Sequence, residues 1–98
     1  MKIEVLEMRL LNNGDKTLKA FCDVLIDRTT MREFRVIKDL NKAPRVVAPQ
    51  LSWKDPSSGN IFYKTIITLP EEVKGEVDRI ILNHYSGEKE KRDAEKSK

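Results

Sequence analysis

Apolar residues at every second position from Leu18 to Ile26 form the most regular pattern in the chain. Leu18, Ala20, Cys22, Val24 and Ile26 alternate with Lys19, Phe21, Asp23, Leu25 and Asp27. A period of two is that of a strand with one face in a core. Phe21 and Leu25 leave the opposite face partly apolar, which suits a partner surface or a packed helix. Ile3 to Leu11 reads as a strand whose phase changes, with Ile3 and Val5 on one parity and Leu6, Met8 and Leu10 on the other. That change predicts a bulge near Val5-Leu6. Asn12-Asn13-Gly14-Asp15-Lys16 lies between the two and supplies residues that tolerate positive φ, so the strands should pair as an antiparallel hairpin.

Arg28-Thr29-Thr30 is expected to turn the chain into a third strand, Met31 to Leu40, with Phe34 and Val36 on one face and Arg35 and Ile37 on the other. After Asn41-Lys42-Ala43-Pro44, Arg45 to Trp53 reads as a fourth strand. Pro49 lacks the ladder donor, so this strand is an edge or stops there. Lys54-Asp55-Pro56-Ser57-Ser58-Gly59-Asn60 is the most loop-like stretch, and Ile61 to Leu69, rich in β-branched and aromatic residues, is the fifth strand.

Pro70-Glu71-Glu72 opens a helix, with proline near the first position and two carboxylates where the helix dipole favours negative charge. At about 100° per residue, Val73, Val77, Ile80, Ile81, His84 and Tyr85 share one face. That face is expected to dock on the sheet, with Leu82 pointing away toward solvent or a partner. Ser86-Gly87 is expected to end the helix. Strands followed by a helix imply an α+β fold, an antiparallel sheet of four to five strands with one C-terminal helix. The division expected is a folded domain over 1–86 and a charged, disordered tail over 87–98, where five bases meet four acids.

Composition narrows the class. A chain of 98 residues with 39 % hydrophobic and 36 % charged content can build only a thin core, so burial through a homodimer would help it. The single cysteine, Cys22, cannot form an internal disulfide. No apolar run approaches the ~20 residues of a membrane helix, and charges interrupt the N-terminal apolar residues. The expectation is a cytoplasmic protein without a membrane partner.

Charge is unevenly placed. From Arg28 to Lys64 eight bases oppose three acids, whereas from Glu71 to Arg79 four acids oppose Lys74 and Arg79. The basic surface is therefore expected on the middle strands and their loops.

Four stretches, in order, carry a family likeness: Val5-Leu6-Glu7-Met8-Arg9-Leu10, Lys19-Ala20-Phe21-Cys22-Asp23-Val24, Phe34-Arg35-Val36-Ile37 and Ile80-Ile81-Leu82-Asn83-His84-Tyr85. Over roughly Ile3 to Tyr85 the chain resembles the SpoVG family of bacterial septation regulators. The resemblance implies a small antiparallel sheet with a C-terminal helix, a homodimer, and binding to DNA or RNA in the control of septation, sporulation or virulence genes. This chain departs from the family at Arg45, where an aromatic is usual, at Ala48-Pro49-Gln50, where Met-Pro-Ser is usual, and in a longer loop from Trp53 to Asn60. In the helix Lys74 keeps a family base, but Glu76 stands at a second.

The inventory does not favour catalysis. The only histidine and the only cysteine, His84 and Cys22, both fall on expected apolar faces, so a nucleophile–base pair would have to be buried whole. No zinc spacing or Gly-rich phosphate loop is present. Glu71 and Glu72 are explained by the helix start better than by a metal. The expectation is a non-enzyme with no cofactor, no metal and no small-molecule substrate. Its candidate nucleic-acid contacts are Arg28, Arg32, Arg35, Lys38, Lys42, Arg45 and Lys54 on strands and loops, with Lys74 and Arg79 on the helix. Arg35 could equally make a structural contact across strands, and Trp53 could stack on a base or cap the core. Phe21, Leu25 and Leu82 are the candidate dimer or partner surface. The alternative is a protein-interaction adaptor that works through a sheet edge or that apolar surface.

Overall fold

The computed structural model describes residues 1–11, 16–65 and 67–96. The expected turn at Asn12 to Asp15 lies outside them. Four strands, β1 (Ile3–Leu10), β2 (Leu18–Ile26), β3 (Thr29–Ile37) and β4 (Arg45–Val47), form an antiparallel sheet in sequence order. Two more, β5 (Gln50–Lys54) and β6 (Ile61–Thr65), pair only with each other among the described residues, and α1 (Glu71–Lys96) follows. The architecture is α+β, as the pattern implies.

The alternation in β2 places Ala20, Cys22, Val24 and Ile26 in the core, where Phe34 and Val36 of β3 and Val46 of β4 join them. Pairing in β1 slips between Val5 and Glu7, which leaves Leu6 about half exposed and returns Met8 to the core side. The phase change in the sequence is this bulge. Asp27 and Arg28 make the turn between β2 and β3, with Asp27 at φ 53°, one residue earlier than expected. The Asp27 carboxylate accepts the Lys2 N–H at 2.9 Å while its own N–H donates to the Lys2 carbonyl at 2.7 Å, which ties β1 to this turn.

Several expectations are corrected. The segment Arg45 to Trp53 is two strands, because the chain leaves the four-stranded sheet at Ala48-Pro49 and restarts as β5. Proline cannot donate to the ladder, and here Pro49 is buried at the change of direction. The strand expected over Ile61 to Leu69 is β6, ending at Thr65.

The helix does not stop at Ser86-Gly87 but runs on to Lys96, into the expected tail. Glycine there costs only about 1 kcal/mol relative to alanine. Arg92 holds the extension to the sheet, donating from Nη1 to the Leu11 carbonyl at 3.4 Å, and His84 lies 3.6 Å from Glu88 one turn on.

The buried seam of α1 is Val77, Ile81 and Tyr85, with Val73 and Leu82 half-buried beside it. His84 is exposed, and Leu82 turns toward the core. The face expected from the sequence is therefore rotated. Strict four-residue spacing of Val77, Ile81 and Tyr85 sets the seam, and the sheet meets it on the Leu82 side.

Candidate nucleic-acid interface

The nine candidate bases separate into groups. Arg28 sits in the β2–β3 turn at one end of the sheet, while Lys38, Lys42 and Arg45 gather at the other end, where β3 hands over to β4. Arg45 is paired with β3 across from Ile37, and its Nε lies 3.8 Å from Asp39. The Lys42 N–H donates to the Asp39 carbonyl at 3.2 Å, closing the turn between β3 and β4. Lys54 is on the β5–β6 hairpin, apart from both groups.

Arg32 and Arg35 lie on the sheet face opposite the helix and are engaged there. Asp23 on that face is only 2 % exposed. It accepts Arg9 at 3.2 and 3.4 Å, Arg32 at 3.2 Å and the backbone N–H of Glu33 at 3.1 Å, and Arg9 also donates to Glu33 at 2.8 Å. The Arg9 guanidinium, with the other donors, holds the Asp23 carboxyl below the ordinary carboxylate range although burial opposes this. Burial must be matched by hydrogen bonds or the charge would be lost. Arg35 stands directly across from Phe21 with its guanidinium 5.8 Å from the ring centroid, a cation–π arrangement. Phe21 is thus flanked by Arg9 on β1 and Arg35 on β3, and with Leu25 it is half-buried on this face.

On the helix, Lys74 is bound to Asp78 at 2.6 Å and Arg79 to Glu76 at 2.9 Å. Each cation already has a carboxylate at helical spacing, so neither presents an uncompensated charge to a phosphate. The acids that crowd this stretch of sequence are the cause.

One basic concavity is not revealed by the sequence pattern. A cleft of about 540 Å³ lies between the end of the sheet and the second half of α1, lined by Lys19, Lys38, Lys89 and Arg92 with Thr17, Tyr85, Leu40 and, among the described residues, a single acid, Asp39. Lys19 comes from β2 and Lys38 follows β3, joined where the Lys38 N–H donates to the Thr17 carbonyl at 2.9 Å. Lys89 and Arg92 come from the helical extension, one and two turns beyond Tyr85. Burial pushes the Tyr85 phenol above its ordinary pKa, with Arg92 acting in the opposite direction. Four cations line the cleft beside one lining carboxylate, Asp39, and Arg92 also lies 3.8 Å from Asp93, so the cleft keeps a net positive charge that attracts polyanions. Of the four, the sequence alone singles out only Lys38. Lys89 and Arg92 fall in 87–98, where composition alone suggests a disordered tail, and the alternation in β2 gives no sign that Lys19 faces a helix.

Chemistry of other kinds is sparse. No group of three or more His, Cys, Asp or Glu side chains that could hold a metal occurs among the described residues. Cys22 is fully buried, and burial together with Asp23 raises its thiol to about 11. No helix among the described residues is long and apolar enough to cross a membrane.

Trp53 does not cap the core. It is 47 % exposed on β5 and stacks on Phe62 of β6, with ring centroids 5.9 Å apart and planes at 26°.

No protein-family description, no curated protein and no solved structure matches this chain.

Proposed function

We propose that this protein is a homodimeric, non-catalytic nucleic-acid-binding regulator, with the cleft between the sheet end and the second half of α1 as its phosphate-binding surface. The observation that carries the reading is the convergence of Lys19, Lys38, Lys89 and Arg92 on one concavity with a single acid among the described residues. Lys42 lies on the adjoining turn and extends the basic strip. Cations on several elements suit a backbone that carries one charge per ~1.7 Å of duplex axis. Cation–phosphate pairs of this kind fix position and supply affinity without reading sequence. The likeness to the SpoVG family points the same way and adds the dimer and a role in septation or sporulation control.

Fluorescence anisotropy with labelled random DNA and RNA at two salt concentrations tests this function. Binding should fall steeply with salt. In a Lys38→Ala/Lys89→Ala variant it should weaken for every sequence alike, and the salt slope should be shallower by roughly one unit for each phosphate no longer neutralised. Absence of binding to either polymer at low salt would refute the function.

A further inference from the structure

Two strands pairing only with each other are marginally stable in water. Among the described residues β5 and β6 form such a pair, and neither packs extensively on another element. The tip that joins them is nonetheless ordered, since the Asp55 carboxylate accepts the Ser57 N–H at 3.0 Å and the Ser57 and Ser58 hydroxyls at 2.9 Å each. Gly59, at φ 76°, donates its N–H back to the Asp55 carbonyl at 2.8 Å. The hairpin is a preformed arm. It contains the long loop from Trp53 to Asn60 in which this chain departs from the SpoVG pattern, so the family likeness carries no expectation for it.

Residues directly opposite each other in an antiparallel pair share a face. Trp53 therefore stands beside Phe62, and the next pair on that face, toward the base of the arm, is Leu51 with Lys64. The two rings stack with centroids 5.9 Å apart, yet 47 % of Trp53 and 45 % of Phe62 is exposed. Each ring fixes the other, so little side-chain freedom is left to lose when a third ring is added. Charge favours an anionic guest. The two strands hold Lys54 and Lys64, both exposed, and no acid. Asp55, the one carboxylate between Gln50 and Thr65, is taken up by Ser57 and Ser58. A ligand matched to this face presents flat rings and negative charge in alternation along its length.

We infer that the Trp53 and Phe62 face of the β5–β6 arm is a stacking platform for the unpaired bases of single-stranded nucleic acid, with Lys64 beside it for a flanking phosphate. This deepens the function proposed above and rests on its nucleic-acid-binding part. In a duplex the base faces are covered by their neighbours, so the platform engages only strands whose bases are free. The basic cleft, by contrast, holds phosphates of either form. Every base has a π-face, so stacking of this kind tolerates all sequences. The arm thus adds selection for single strands without adding selection for sequence.

Trp53, the only tryptophan in the chain, reports the event directly. The probes are an oligothymidine, a strand of equal length with abasic spacers in place of the nucleosides, and a duplex of equal length. Oligothymidine should quench Trp53 emission and bind at least about fivefold more tightly than the abasic strand, the low end of what one stacked base contributes. That ratio should persist as salt is raised, because both strands carry the same phosphates. Phe62→Leu, which keeps the reporter, and Trp53→Leu should each bring the ratio toward one and leave affinity for the abasic strand and the duplex unchanged. Far-UV circular dichroism and protection of Cys22 in both variants should match the wild type. If either variant unfolds, quenching and the oligothymidine-to-abasic ratio of the wild-type protein still decide. Equal binding of those two strands, or Trp53 emission untouched by saturating oligothymidine, overturns the proposal and leaves the cleft standing. Emission that shifts on dilution of the protein and not on adding oligothymidine also overturns it, since a second copy would then cover the face. Quenching and base dependence that survive in Lys38→Ala/Lys89→Ala with an unchanged salt slope support the arm and remove the cleft instead. Absence of binding to all three probes overturns both.

Discussion

The backbone N–H of Glu33 donates to the buried carboxylate of Asp23 at 3.1 Å, and Glu33 is held at φ 67°. A non-glycine residue in the left-handed region is unfavourable unless its surroundings fix it. Here the pairing of β2 and β3 slips between Cys22 and Val24, and Asp23 satisfies the backbone donor that the irregularity frees. The same carboxylate gathers Arg9 from β1 and Arg32 from β3, so one side chain joins three strands on the face that the helix does not cover.

Replacing Asp23 by alanine is expected to cost about 1–3 kcal/mol, the usual range when hydrogen-bonded partners are left without an acceptor. Arg9 and Arg32 remain partly solvated, so the loss should not approach that of a fully buried ion pair. Urea unfolding of the two proteins gives the difference directly. A change below about 0.5 kcal/mol, the scatter of ordinary surface substitutions, would mean that the bulge needs no carboxylate.

Acid should act through the same group. The folded-state pKa of Asp23 is depressed, first by its hydrogen bond from Arg9, so its contribution is fully present above the ordinary carboxylate pKa of about 3.9 and is lost as pH falls through the folded value. The unfolding free energy of the wild-type protein should therefore decline below roughly pH 4. In Asp23→Asn that decline should be shallower. Equal acid slopes in the two proteins would assign the loss to other carboxylates.

Gly87 tests the length of the helix. Its φ is not positive, and a Cβ built there meets nothing within 4 Å. Gly87→Ala should consequently stabilise the protein by roughly 0.5–1 kcal/mol. Were Gly87 the left-handed residue that ends a helix, the same change would destabilise. Thermal melts of the two proteins decide by sign alone.

Cys22 should resist thiol reagents until the protein unfolds, because the thiolate is the reactive form and the thiol is raised to about 11 by burial. Labelling as fast under native conditions as in denaturant would show that β2 opens readily.

Charge changes should sort by location. Arg32→Ala is expected to reduce stability by no more than about 1 kcal/mol, since the Arg32 side chain is largely exposed and Asp23 keeps its hydrogen bonds from Arg9 and Glu33. Its effect on nucleic-acid affinity, and that of Arg45→Ala, should be smaller than the effect of Lys38→Ala with Lys89→Ala. Lys74→Ala and Arg79→Ala should change affinity least, as both cations are held by Asp78 and Glu76. Anisotropy titrations in one buffer rank the five, and a ranking headed by Lys74 and Arg79 would place the binding surface on the first turns of α1.

Elements whose periodicity reports burial directly were legible in the chain alone. Alternation over Leu18 to Ile26 defines β2 and its core face, the parity change at Val5-Leu6 locates the β1 bulge, and Pro70-Glu71-Glu72 marks the helix start. Each is a local consequence of side-chain period or capping, so no distant residue is needed to see it. Other features depend on packing between elements far apart in sequence. Whether a helix passes Gly87 depends on what its far side meets, here the Leu11 carbonyl reached by Arg92. Which faces of Lys19 and Lys38 look onto Lys89 depends on where that helix lies. Asp23, an ordinary polar position in an alternating strand, became a buried hub only because Arg9 and a strained Glu33 were brought to it from neighbouring strands. The detachment of β5 and β6 from the main sheet was likewise hidden, because proline at position 49 says that a ladder stops but not where the chain goes next.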